Sequence, residues 1–70
     1  MPLTFAKTGE PGTISRITGR DHTRRFLESL GFVEGETVMV ISENSGNLIL
    51  QVKNARVALD RSMASRIQIA

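Results

Sequence analysis

Only one segment of this seventy-residue chain carries a helical pattern, and that excludes most architectures before anything else is considered. The segment runs from Gly19-Arg20 to Gly31. Asp21 or Thr23 can cap its start, and Gly31 is well placed as the left-handed residue that ends it. Phe26, Leu27 and Leu30 form its apolar stripe, while Arg24 and Glu28, four apart, can pair on the other face. A helix of about ten residues is not stable alone, so this one must be laid against a sheet. A doubly wound α/β fold is ruled out, because it needs several crossover helices.

The remaining residues read as short strands separated by turns. Gly9-Glu10-Pro11-Gly12 is a turn cluster, and Thr13 to Thr18 follows as a strand. Ile14 and Ile17 are three apart, which breaks strict alternation; a bulge or sharp bend would bring both inward. Thr37 to Glu43 is rich in Val and Ile, Asn44-Ser45-Gly46-Asn47 is a turn, and Leu48, Leu50 and Val52 share one strand face. Lys53-Asn54 has the length of a tight hairpin loop before Ala55 to Leu59. Asp60 to Ala64 can form one helical turn, and Ile67 and Ile69 close the chain as a last short strand. Such a pattern predicts a mainly β fold, a small antiparallel barrel of about five strands with one short helix, occupying residues 1–70 as a single domain. Its expected core is Leu3, Ile14, Ile17, Phe26, Leu27, Leu30, Val38, Val40, Leu50, Val52, Val57, Leu59, Ile67 and Ile69.

Composition narrows the function classes. The chain has no cysteine, so neither disulfides nor cysteine-based metal sites are available to a domain this small. The longest apolar run, Val38 to Ile41, is far short of the roughly 20 residues needed to span a bilayer. Met1 to Phe5 lacks the charged and apolar regions of a signal peptide. The expectation is a soluble, cytoplasmic chain with no membrane insertion. Nine basic and seven acidic residues leave a formal charge of only +2, too little for a committed DNA binder. Three phenylalanines and no Trp or Tyr can hardly supply a base-stacking surface, so no nucleic-acid partner is expected.

The run from Arg25 to Val40, Arg-Phe-Leu-Glu-Ser-Leu-Gly-Phe-Val-Glu-Gly-Glu-Thr-Val-Met-Val, resembles the core signature of the FeoA-type ferrous iron transport protein A domain. In that signature a helix ends in Leu-Gly-hydrophobic, and Gly-x-x-Val opens a strand. The order of the other pieces agrees: Pro2-Leu3 with Gly9, then Gly12-x-Ile14-x-x-Ile17-x-Gly19, and later Arg56-Val57-Ala58-Leu59 with Ala64-x-x-Ile67-x-Ile69. The resemblance covers essentially the whole chain. It implies an SH3-like barrel and a cytoplasmic accessory role in ferrous iron uptake. The implied partner is the membrane ferrous-iron permease with its cytoplasmic GTP-binding domain. One departure is the turn at Asn44 to Leu48, which lacks the prolines the family often has there.

Candidate site residues follow from weighing each cluster. Arg16, Arg20, Arg24 and Arg25 concentrate in ten residues and form either a solvated basic face or a docking patch for an acidic surface. Met39 and Ile41 lie on the strand face opposite Val38 and Val40, where the helix covers them or a partner does. His22 is the only histidine, with no ligand three or four residues away, and reads as solvated; no metal site and no cofactor is expected. No serine, histidine or carboxylate constellation suggests catalysis, so the chain is not expected to be an enzyme. Two rival functions remain: a metal-sensing regulatory module of the kind ending iron-dependent repressors, and a nucleic-acid-binding small barrel.

Overall fold

Turn residues divide the chain as the sequence implies, and the computed structural model describes residues 1–19 and 21–70. A 3₁₀ turn at Leu3–Phe5 precedes β1 (Gly12–Ile17), α1 (His22–Ser29), β2 (Thr37–Asn44), β3 (Asn47–Val52), β4 (Ala55–Asp60), the single-turn α2 (Arg61–Ala64) and β5 (Ile67–Ile69). All strand pairings are antiparallel, in the order β4-β3-β2-β1-β5. Two-residue loops join β2 to β3 through Ser45-Gly46 and β3 to β4 through Lys53-Asn54. The β3–β4 loop sets Leu48, Leu50 and Val52 on one face with Leu59. In β2 a register shift leaves Ile41 as the extra residue between Val40 and Ser42 and brings Val40 and Val38 opposite Leu50 and Val52, so all six side chains reach the interior.

β1 belongs to two ladders. Gly12 and Thr13 pair with Val38 and Thr37 of β2, whereas Ile14, Arg16 and Ile17 pair with Ile69, Gln68 and Ile67 of β5. The register slips between Ile14 and Arg16, leaving Ser15 as the extra residue of a bulge. That slip turns both Ile14 and Ile17 inward despite their odd spacing. Ser15 uses its hydroxyl to donate to the Gln68 carbonyl at 3.1 Å. The outer edge of β5 is occupied in turn by the first residues of the chain. Pro2 bridges Gln68, and the Ile69 N–H donates to the Met1 carbonyl at 2.7 Å.

α1 is shorter than the sequence suggests, at eight residues. Its end is a Schellman motif: the Phe32 N–H donates to the Leu27 carbonyl at 3.1 Å and the Gly31 N–H to the Glu28 carbonyl at 3.0 Å. Gly31 has φ +108°, a conformation that favours glycine. By folding the chain back, the motif brings Phe32 onto Leu27, and both side chains are fully buried. Phe26 does not join them. It is 47% exposed, a correction to the expected core, because only the line through Leu27 and the half-buried Leu30 faces inward. Phe32 fills the aromatic position instead. Leu48 and Ala64 are also core residues beyond those expected, and Val57 packs half-buried against the cluster.

Phe32→Ala is therefore expected to cost about 3–5 kcal/mol and Phe26→Ala no more than about 0.5 kcal/mol in urea unfolding. Gly31→Ala meets only ordinary contacts, 3.7 Å from Lys53 Cδ and 3.8 Å from the Val52 methyls. Its expected cost is the conformational one, about 1 kcal/mol, with the m-value unchanged.

Candidate functional site

The end of β1 and the start of α1 are held together by Arg66, which lies just before β5. The Arg66 carbonyl accepts from the Thr18 N–H at 2.8 Å and from the Thr18 hydroxyl at 3.2 Å. Its guanidinium Nη1 donates to Asp21 Oδ1 at 2.9 Å. That same oxygen accepts from the Thr23 N–H at 3.2 Å, so Asp21 caps α1 while pairing with Arg66. The guanidinium passes directly over Gly19, where a Cβ would lie 2.5 Å from Nη1; Gly19 also has φ +100°. A larger side chain there would strain the backbone and force the flexible Arg66 guanidinium to shift off this position.

Next to this clasp lies a groove between strand and helix, lined by Arg16, Ile17, Thr18, Gly19, Arg24 and Glu34. Arg16 is exposed, and the half-exposed Arg24 is paired to Glu28 across one helical turn, Nε to Oε2 at 3.5 Å. Among the described residues no carboxylate lies within ion-pair distance of Arg16 or Arg25. The groove thus presents two guanidinium groups, one of them without an acidic partner, beside a single carboxylate, Glu34.

The candidate residues from the sequence therefore separate. Arg16 and Arg24 come together, although eight residues apart. Arg25 is exposed on the adjoining face of α1 and does not line the groove. Arg20 lies outside the described residues. Met39 and Ile41 are both half-buried, and Met39 lines a different groove, with Pro11, Glu36, Thr37, Gln51 and Lys53. None of those neighbours belongs to α1, so the expected helical cover is not what flanks Met39. His22 is exposed in the first turn of α1, and among the described residues no three His, Cys, Asp or Glu side chains are placed to share a metal ion. Thr18, Gly19, Glu34 and Arg66 were not foreseen as site residues. Only Gly19 carried a signal, as a glycine between a strand and a helix cap.

The Asp21 carboxyl responds to this setting. Desolvation raises its pKa, but the Arg66 hydrogen bond and charge, with backbone N–H groups at Thr23 and Asp21, outweigh that and hold it below the ordinary carboxylate value.

Comparison with known proteins places these features in context. The FeoA domain family model matches residues 1–70. A Methanocaldococcus jannaschii protein named for Fe(2+) transport, as protein A, is 31% identical over 68 residues, covering 97% of this chain and 83% of the relative. The crystal structure of Stenotrophomonas maltophilia FeoA complexed with zinc, described as a prokaryotic SH3 domain protein, superposes with a TM-score of 0.89 at 28% identity; the match covers 100% of this chain and 89% of that one. A manganese-dependent transcriptional repressor shares the fold, with a TM-score of 0.88 at 24% identity over 99% of this chain and 40% of its own.

Removing the clasp is expected to raise the Asp21 pKa toward the ordinary value in Arg66→Ala, read by carboxyl ¹³C NMR titration. Because the folded-state value is depressed, Asp21 stabilises the fold above its unfolded pKa, and that contribution is lost as pH falls through the folded value. The variant should accordingly show a shallower loss of stability on acidification.

Proposed function

The chain belongs to the FeoA family, small SH3-like domains associated with ferrous iron transport, and on that premise we propose that it docks on the membrane ferrous-iron permease through its arginine groove. The role is accessory: the domain regulates or assembles the transporter by contact, at the permease's cytoplasmic GTP-binding domain, and performs no chemistry of its own. The observation that carries this reading is the convergence of Arg16 and Arg24 on one open groove, with Arg25 exposed beside it. A planar guanidinium binds a carboxylate through two parallel hydrogen bonds, so a pair of them recognises an acidic loop with defined geometry. At physiological ionic strength the Debye length is about 8 Å. The charges therefore select a partner at close range.

Titration of the labelled domain with the permease's soluble GTP-binding domain is expected to shift the amides of Arg16, Thr18, Gly19 and Arg24 in two-dimensional NMR. The double variant Arg16→Glu/Arg24→Glu should bind at least about tenfold more weakly, about 1.4 kcal/mol, while its own spectrum stays dispersed. Binding unchanged in the double variant, or no shifts in the wild type at high concentration, would overturn this reading.

A further inference from the structure

The two ends of the sheet are finished differently. The β5 edge is sealed by the chain's own first residues, Met1 and Pro2. At the other end, among the described residues, β4 pairs with β3 alone. Val52 and Ala55 flank the two-residue loop, so they exchange hydrogen bonds, and bonded pairs recur at Leu50 with Val57 and Leu48 with Leu59. The backbone groups of Arg56, Ala58 and Asp60 consequently point away from β3. Among the described residues none bonds the outward backbone of Arg56 or Ala58. Arg56, Ala58 and Asp60 are all exposed, and the small side chain of Ala58 sits at the centre of this edge. Such an edge is a template for another strand unless it is blocked.

Its charges say which strand. Arg56 and Asp60 are spaced symmetrically about Ala58. Antiparallel pairing with a second copy about a two-fold axis through Ala58 sets each Arg56 directly opposite the other copy's Asp60. Ala58 then exchanges both backbone bonds with its symmetry mate. Sliding the register by two positions one way brings Arg56 opposite Ala58, and by four brings the two Arg56 side chains face to face, which like-charge repulsion disfavours. Asp60 uses Oδ1 to cap α2, accepting from the Met63 N–H at 2.7 Å, which leaves Oδ2 for the incoming arginine. Arg56 has no carboxylate within ion-pair distance among the described residues. We propose that two copies of this chain associate through their β4 edges, in the register that pairs Arg56 with Asp60, to form one continuous sheet.

A contact of this length buries less than the roughly 1,000 Å² of a stable interface, so the association is weak and concentration-dependent. Sedimentation velocity from about 20 μM to about 1 mM should show the average mass rising from 7.7 kDa toward twice that value. Over the same range the Ala58 and Asp60 amide signals should move with concentration. Arg56→Glu, an exposed substitution that sets like charges opposite each other, should weaken association at least about tenfold. Ala58→Pro, which removes the central donor, should abolish it. A monomer at the highest concentration would overturn the proposal, and so would association that neither variant alters. Should Ala58→Pro fail to fold, Arg56→Glu alone decides.

Discussion

The fold depends on one strand being shared. β1 gives its first residues to β2 and the rest to β5, and the extra residue Ser15 is what allows the change of partner. Without that bulge, strict alternation would put Ile14 and Ile17 on opposite faces. One of two core side chains would be in water, and Ile67 and Ile69 of β5 would lose the surface they cover. β5, only three residues long, survives because β1 holds one edge and the Met1–Pro2 segment the other. The N-terminus and the last strand are therefore parts of one closure. With no cysteine available, closing the sheet in this way is how so short a chain buries a continuous cluster of apolar side chains.

α1 is tied to this barrel at both ends by different means. Its C-terminus is fixed by packing, since the Schellman turn delivers Phe32 onto Leu27 inside the core. Its N-terminus is fixed by polar contacts at the surface, through Asp21, Arg66 and Thr18. Exposed ion pairs contribute little to stability, so the Arg66 clasp matters for where it places things. It links the start of α1 to the end of β1, the two elements that carry Arg24 and Arg16. The core and the groove are thus governed by different forces and should respond differently to mutation and to salt.

Much of the architecture was legible in the sequence because its signals are local. The Ile14–Ile17 spacing announced the bulge, Gly31 the helix end, and the Ser45-Gly46 and Lys53-Asn54 loops the hairpins. Phe26 and Phe32 show where local reasoning stops. Phe26 fits the helical stripe by spacing, but an eight-residue helix anchored at Leu27 has a narrow buried line, and Phe26 falls beside it. Phe32, beyond the glycine, was not among the expected core residues. The Schellman rule that a hydrophobic residue two past the cap returns to the last turn would have found it. The arginines followed a similar course. Arg24 and Arg25 are neighbours in sequence, yet adjacent helix positions diverge by about 100°, and the groove takes only the first. Arg66, which organises the site, lies far along the chain in a segment whose local pattern said only that a strand was about to begin.

The arginine groove and the β4 edge involve different strands of the sheet. β3 and β2 stand between β4 and β1 in the strand order, and no β4 residue lines the groove, so pairing along β4 uses none of the groove's side chains. A two-fold pair then carries two arginine grooves at a spacing fixed by the continuous sheet. Joining two weak sites in this way can raise overall affinity by 10²–10⁴ without any new contact, provided the acceptor sites match the spacing. A mismatch forfeits the gain entirely. Affinity for a single soluble acceptor domain would therefore understate binding to an acceptor that presents two acidic surfaces together. Discrimination between them would reside in the spacing of the pair, because each groove alone offers only two guanidinium groups and one carboxylate, a pattern too simple to select one partner among many acidic surfaces.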